Sequence, residues 1–488
     1  MHAHATFQSI YRQNSDLIIY NDLKDDPVVA AFLEICRLLG ERDTRAACIA
    51  YPPADSNRTE RGGEDNQRAK ALAAACRRFF RLLADYTELY QGPFTGDPWQ
   101  NYLLDRIILA ENTFTLKAGQ IKWEFFSDAL KDAVGQDLRH LQALAGMSSA
   151  AYNAALARLA SSTATTYDAD GATVFPGNQL SVPDWTKLKP LDPHQPLQPP
   201  QAVRKEIKEK LLAADWGREG IKLLADYHRT WGTGIFGMYW AFRWEGGPAG
   251  GRLVGIDRPD PIQLSDLVGY EAERGEIIRN TEKFLKGLPA VNILLYGARG
   301  TGKSSTVKAL LHAYGAQGLR LIELPKKFLG DYQEILKILA PRPQKFIIFI
   351  DDLSFDEGEA EYKELKYLLE GSLQVRPANV LVYATSNRRH LVKEFLSDRA
   401  PAADREVRLQ DTVQEKLSLA ERFGMTVIFL SPDQEQYLNI VEELASKAGL
   451  EMERAELRRR ALQWALYQNG TSGRTARQFV DYLIGELG

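Results

Sequence analysis

The chain has 488 residues, 44% of them hydrophobic and 26% charged, the mix of a folded globular protein, which excludes wholesale disorder. Its 61 basic and 64 acidic residues leave a net charge of -3, so no global field draws it onto nucleic acid or an anionic membrane, and such a partner needs a local patch. Cys36, Cys48 and Cys76 form no CxxC pair, which speaks against a disulfide framework or zinc knuckle and for a reducing, cytoplasmic setting.

In chain order, the first residues have no basic stretch leading into an apolar core, so no signal peptide is expected. No apolar run approaches the ~18 residues of a membrane span, so no membrane partner is expected. His2 and His4 read as solvated rather than metal-binding. Apolar residues recur at i, i+3, i+4 over Pro27 to Leu39, Ala69 to Leu89, Trp99 to Leu109 and Trp123 to Leu144, which predicts core-facing helices. The polar stretch Pro52 to Gln67 with its Gly-Gly pair reads as a loop. Arg77, Arg78 and Arg81 read as the solvated face of their helix. From Ser161 to Gln201 the composition turns to Ser, Thr and then Pro, the chemistry of a linker. A helical stretch follows at Ala202 to Arg229, then a hairpin pattern, MYWAFRW (238–244) and GRLVGI (251–256) around a Gly-rich turn. Gly232, Gly234 and Gly237 spell G-x-G-x-x-G, but a helical pattern precedes them and a strand pattern follows. That is the reverse of the dinucleotide-binding context, so they read as an entry to the hairpin.

Beyond Leu267 the pattern alternates. Strands are expected at Asn292–Tyr296, Leu319–Glu323, Phe346–Asp351, Val380–Ala384 and Met425–Leu430, with helices between them. This predicts right-handed crossovers and a mostly parallel sheet. After Ser431-Pro432 only helices remain, near 433–448, 453–468 and 473–487.

The segment NILLYGARGTGKSS (292–305) matches G-x-x-x-x-G-K-[ST] with Gly297, Gly302, Lys303 and Ser304, after an apolar strand and before a helix. Backbone N–H groups of Gly300, Thr301 and Gly302 are expected to turn around phosphate oxygens, with the helix dipole aimed at the same anion. Lys303 then reaches the β- and γ-phosphates, and Ser304, next to Ser305, ligates Mg²⁺. The buried run FIIFIDDL (346–353) ends in Asp351, placed to orient the Mg²⁺ site, and Asp352, placed to polarise the attacking water. The run VLVYATSNRRHL (380–391) ends in Asn387, an amide able to orient water near the γ-phosphate, with Thr385 and Ser386 as alternatives.

P-loop, acidic strand end, polar strand end and helical C-terminal unit, in that order, resemble the AAA+ ATPase class over residues 262–488. The wording LVGYEAER and LLYGARGTGKSS is closest to an uncharacterised bacterial group of ATP-binding AAA+ proteins. The resemblance implies an α/β P-loop module, a parallel five-stranded sheet with flanking helices plus a C-terminal helical lid, behind a mainly α-helical N-terminal region. It implies that SDLVGYEAERGEI (265–277), with Val268 and Gly269, packs on adenine. KLSLAERFG (416–424) makes Arg422 an arginine finger supplied by a neighbouring subunit. SGRTARQF (472–479) makes Arg477, or one turn earlier Arg474, the lid arginine on the phosphates. The pair Asp351-Asp352 departs from the usual Asp-Glu, and Glu357 is a substitute base nearby. The expected domains are 1–182, helical; 183–260, linker, helix and hairpin; 261–431, the α/β ATPase; and 432–488, the lid. The expected function is an ATP hydrolase using ATP and Mg²⁺ that works as a homo-oligomer, ring-like or ATP-dependent, on a protein client. A nucleic-acid-associated loader and a nucleotide-gated scaffold with little hydrolysis are the alternatives.

Overall fold

The N-terminal apolar spacing folds as helices α1 (Phe7–Ser15), α2 (Pro27–Cys48), α3 (Arg58–Glu88), α4 (Pro98–Leu109), α5 (Thr113–Gln120) and α6 (Asp128–Ala145). After the Pro-rich stretch come α7 (Pro199–Ala213), α8 (Ile221–Trp231) and α9 (Gly234–Met238). The computed structural model describes residues 7–48, 58–150, 183–191, 198–247, 250–354, 376–387, 422–468 and 470–487, with the single residues 152, 154, 364, 365 and 369. It divides into two compact units, Met1–Met238 and Tyr239–Gly488.

The first unit is built on one aromatic core. Phe32 on α2, Phe79 on α3 and Trp99 on α4 are fully buried, with Phe32 and Trp99 centroids 4.6 Å apart. Trp185, inside the expected linker, packs on Phe79 at 5.5 Å and is also fully buried. The Pro-rich stretch therefore pins a core side chain at that point, and α7 to α9 join the N-terminal unit. A buried polar group sits beside this core. The Lys208 ammonium lies 2.7 Å from Asp105 and donates to the Pro93 carbonyl and Asn101 Oδ1, both at 2.9 Å. Burial pushes Lys208 down to about 8, against the pull of Asp105.

Three expectations change here. The Pro52 to Gln67 loop is helical from Arg58 on, so the Gly62-Gly63 pair lies inside α3. Two glycines cost a helix roughly 1 kcal/mol each, less than the downstream apolar face anchors. The Trp123 to Leu144 helix starts at Asp128, after Ser127 leaves helical geometry. The G-x-G-x-x-G glycines make a helix-to-helix turn: Gly232 ends α8 at φ +88, and α9 precedes the hairpin.

The second unit carries seven strands: β1 (Ala241–Glu245), β2 (Arg252–Gly255), β3 (Ile293–Gly297), β4 (Leu319–Glu323), β5 (Lys345–Ile350), β6 (Val380–Ser386) and β7 (Met425–Phe429). Their order is β2-β1-β4-β5-β6-β3-β7. All five expected strands are present and parallel, and the hairpin extends them: β1 pairs parallel with β4, and β2 pairs antiparallel with β1. The run Phe346 to Ile350 and all of β6 are buried, as a parallel sheet covered on both faces requires. Trp240, just before β1, stacks over the Arg320 guanidinium at 5.6 Å, and Trp244 Nε1 donates to Asp331 at 2.8 Å.

Around the sheet lie α10 (Glu271–Leu285), α11 (Lys303–Tyr314) and α12 (Tyr332–Leu339). The C-terminal helices α13 (Gln434–Lys447), α14 (Arg454–Tyr467) and α15 (Gly473–Leu487) pack as one bundle. Arg458 pairs with Glu435 and Glu442, Arg459 with Glu456, and Arg460 with Glu486. Among the described residues no helix is long and apolar enough to cross a membrane.

Candidate nucleotide site

β3 delivers Gly297 to the carboxyl edge of the sheet, and six residues later α11 begins. A Cβ on Gly297 would stand 1.9 Å from the Phe429 carbonyl of neighbouring β7, so only glycine lets the strands run this close. Gly300 has φ +75, and a Cβ there would meet Ser472 Oγ at 2.8 Å. The loop is thereby tied to the lid: the Arg474 N–H donates to the Gly300 carbonyl at 3.0 Å.

Lys303, at the first turn of α11, folds back over the loop. Its ammonium donates to the carbonyls of Gly297 at 3.0 Å and Ala298 at 2.7 Å, and to Asn387 Oδ1 at 3.2 Å. Burial lowers its pKa, Asp351 and Asp352 raise it, and Arg474 lowers it further. Ser304 Oγ donates to Asp351 Oδ1 at 2.6 Å. The same oxygen accepts from Thr385 Oγ1 at 2.5 Å and from the Asp352 N–H at 3.2 Å. Asp352 stands at φ +53, a left-handed conformation rare outside glycine. Thr385 Oγ1 accepts the Asp352 N–H at 2.9 Å, and Asn387 Nδ2 donates to the Asp352 carboxylate at 2.6 Å. Thus Asn387 touches both Lys303 and Asp352, while Thr385 ties the end of β6 to the end of β5.

These groups face one cavity of about 670 Å³. Its polar wall holds Gly300 to Ser305, Asp351, Asp352 and Asn387; its apolar wall holds Ile262, Val268, Ile440 and Leu444. Gly269 stands behind that wall against Ile440, its carbonyl taking a hydrogen bond from Arg274. Tyr270 also lines the cavity, with its hydroxyl donating to the Leu430 carbonyl at 2.7 Å.

The two lid arginines separate. Both line the cavity, but Arg474 adjoins Gly300 and acts on the charge of Lys303, whereas Arg477 donates to the Asp266 carbonyl at 3.3 Å. Arg422 is outside the cavity lining. Register pairs Ile293 with Met425 and Gly297 with Phe429, so Arg422, ahead of Met425, lies at the sheet edge opposite the P-loop. Four strand steps, about 13 Å, separate those edges. Glu357 lies outside the described residues, as do His2 and His4. Tyr270 belongs to the segment expected on adenine; sequence reasoning missed Arg299, Ile440 and Leu444 as cavity residues, and Thr385 as the anchor of Asp351. Only the polar end of a buried strand hinted at the last.

The donor set fits a nucleotide with a hard cation. A glycine loop with positive φ opens onto a helix N-terminus with a lysine, the anion cradle of P-loops. Beside it a carboxylate and a hydroxyl stand 2.6 Å apart, a sparse oxygen pair suited to a Mg²⁺ that takes its remaining ligands from phosphates and water. Among the described residues no three His, Cys, Asp or Glu side chains gather to hold a metal by themselves.

Known proteins match this chain over part of its length. The 26S proteasome regulatory subunit 6B homolog of Dictyostelium discoideum is 26% identical over 223 residues, 41% of this chain and 50% of that protein. The proteasome-activating nucleotidase of Methanocaldococcus jannaschii is 34% identical over 116 residues, 21% of this chain and 27% of that one. The chain thus spans half or less of the length of these relatives. Among solved structures, the Thermotoga maritima RuvB Holliday junction branch migration motor aligns at 15% identity and a TM-score of 0.30, over 46% of this chain and 72% of that one. The family described as "Protein of unknown function (DUF815)" matches residues 237–487, more than half of the chain. The chain belongs to that family, and its second unit is an AAA+ class P-loop module.

Proposed function

We propose that the chain binds ATP in this cavity and hydrolyses it to remodel a protein client, working as a homo-oligomer. The observation that carries the reading is the convergence of Lys303, Ser304, Asp351, Asp352 and Asn387 on one cavity at the N-terminus of α11.

Little covalent chemistry falls to the protein in phosphoryl transfer; positioning and charge neutralisation do the work. Ser304 and Asp351 would hold a Mg²⁺ bound with ATP, which would neutralise phosphate charge. Lys303 leaves the carbonyls of Gly297 and Ala298 for phosphate oxygens. Asp352 takes the proton of the attacking water at its carboxylate, and Asn387 orients that water. Arg474, beside the loop, is the better placed of the two lid arginines to meet phosphate, and Arg477 closes the lid on the nucleoside side. Arg422 reaches a neighbouring subunit's γ-phosphate, because its own lies across the sheet. An arginine finger of this kind contributes ~10³–10⁵ in rate in GTPases.

The protein client draws support from the proteasomal names of the curated relatives. It also draws support from Arg458 to Arg460, each already paired within the lid rather than free for nucleic acid. A second reading, a nucleotide-gated scaffold, is favoured by Asp352. It is one methylene shorter than glutamate, and Asn387 and Thr385 already hold it. Lys303→Ala tests the common ground: the variant should keep its far-UV circular dichroism and lose ATP binding. Unchanged affinity in a folded variant refutes the site. Single-turnover hydrolysis then separates motor from scaffold.

A further inference from the structure

We infer that Arg299, the third residue of the P-loop motif, binds the terminal phosphate in cis and makes the site prefer a nucleoside triphosphate to the diphosphate. The inference rests on the ATP-binding reading above and goes beyond it, because the P-loop pattern leaves this position open to any residue.

Three observations support it. Arg299 is exposed, yet it lines the nucleotide cavity. Three other cavity cations are engaged: Lys303 on two carbonyls and Asn387, Arg274 on Glu271 and the Gly269 carbonyl, Arg477 on the Asp266 carbonyl; Arg474, on the lid, is tied to the loop through its backbone N–H. The Arg299 guanidinium makes no hydrogen bond or ion pair with any described residue, so its five donors are free for a ligand.

The third observation is positional. Backbone N–H groups at the helix end of a P-loop cradle the α- and β-phosphates, and the lysine reaches on to the β- and γ-phosphates. Here the Lys303 ammonium lies 2.7 Å from the Ala298 carbonyl, at the strand end of the loop. That contact sets the lysine head at the strand end of the loop before it moves to phosphate, and Arg299 is the next residue. Gly300 follows at φ +75, so the loop turns toward the helix directly after Arg299, which lines the cavity. A guanidinium there meets two oxygens of a terminal phosphate in fork geometry. A diphosphate ends one phosphate short and loses that contact.

The test measures affinity of the full chain with Mg²⁺ for ADP and for the β,γ-imido analogue of ATP. In Arg299→Ala the analogue should bind roughly tenfold or more weakly, the share of a charge-assisted pair, with ADP affinity unchanged within about twofold. Arg299→Lys keeps the charge without the fork and should fall between. Equal losses for both nucleotides, or no loss for either, overturn the assignment and leave the P-loop intact. Restoration of analogue affinity on mixing with Lys303→Ala subunits, whose Arg299 is intact, also overturns it, since the arginine then works across subunits. Wild type binding neither nucleotide, and so indistinguishable from Lys303→Ala, overturns the ATP-binding reading itself.

Discussion

Replacing Thr385 by valine isolates what holds the carboxylate of Asp351. Valine keeps the β-branched shape that buried strand β6 packs, so the change removes one hydroxyl and nothing else of size. In the structure that hydroxyl gives Asp351 Oδ1 its shortest hydrogen bond, 2.5 Å, beside 2.6 Å from Ser304 and 3.2 Å from the Asp352 N–H. When Ser304 turns its oxygen to a cation, Thr385 becomes the main anchor. A hydrogen bond to a charged group contributes about 1.5–3 kcal/mol. At about 2 kcal/mol, with 1.4 kcal/mol per decade, half-saturation by Mg²⁺ should rise roughly 30-fold in Thr385→Val. The assay is a Mg²⁺ titration of nucleotide binding and of hydrolysis at saturating ATP. Thr385→Ser should restore most of the affinity, because the donor returns. An unchanged Mg²⁺ midpoint with a lower rate at saturation would refute the anchor role and place Thr385 on the water instead, the job assigned here to Asn387.

Asp352→Asn should bind ATP and turn over poorly, whereas Asp351→Asn should also lose Mg²⁺-dependent binding; if Glu357→Gln alone stops hydrolysis, the base is elsewhere. Arg422→Ala should bind ATP normally and hydrolyse it ~10³-fold more slowly or worse. Mixing it with Lys303→Ala should recover activity, since one mixed interface pairs an intact loop with an intact finger. A rate independent of protein concentration, with no recovery on mixing, leaves Arg422 an ordinary surface residue.

Much of the site was legible because its elements are local. The P-loop is one contiguous stretch whose glycines answer backbone geometry at their own positions, and Asp351, Asp352 and Asn387 each end a buried strand. Lines of the site that depend on packing were not legible. Arg474 and Arg477 stand one turn apart on α15, and only the seating of that helix on Gly300 decides which adjoins the loop. The hairpin's strand character could be read from its aromatic alternation. Its place beside β4 could not, because parallel pairing joins residues far apart in sequence. Trp185 was lost inside a proline-rich stretch for a similar reason: composition describes the backbone around it and says nothing of the pocket that one indole fills.

The strand order also sets a timetable for synthesis. The N-terminal unit closes its core with residues that have all emerged by Met238, and β1, β2, β4 and β5 find one another as they follow. Strand β3 has no such early neighbour. It pairs with β6 and β7, so Ile293 waits for Tyr383 and Met425 to be translated, and the Gly300 carbonyl waits for Arg474. Long-range parallel pairing of this kind is intrinsically slow. A nascent chain thus carries its phosphate loop without its strand neighbours, and without the Arg474 N–H on Gly300, until β6, β7 and α15 have been made.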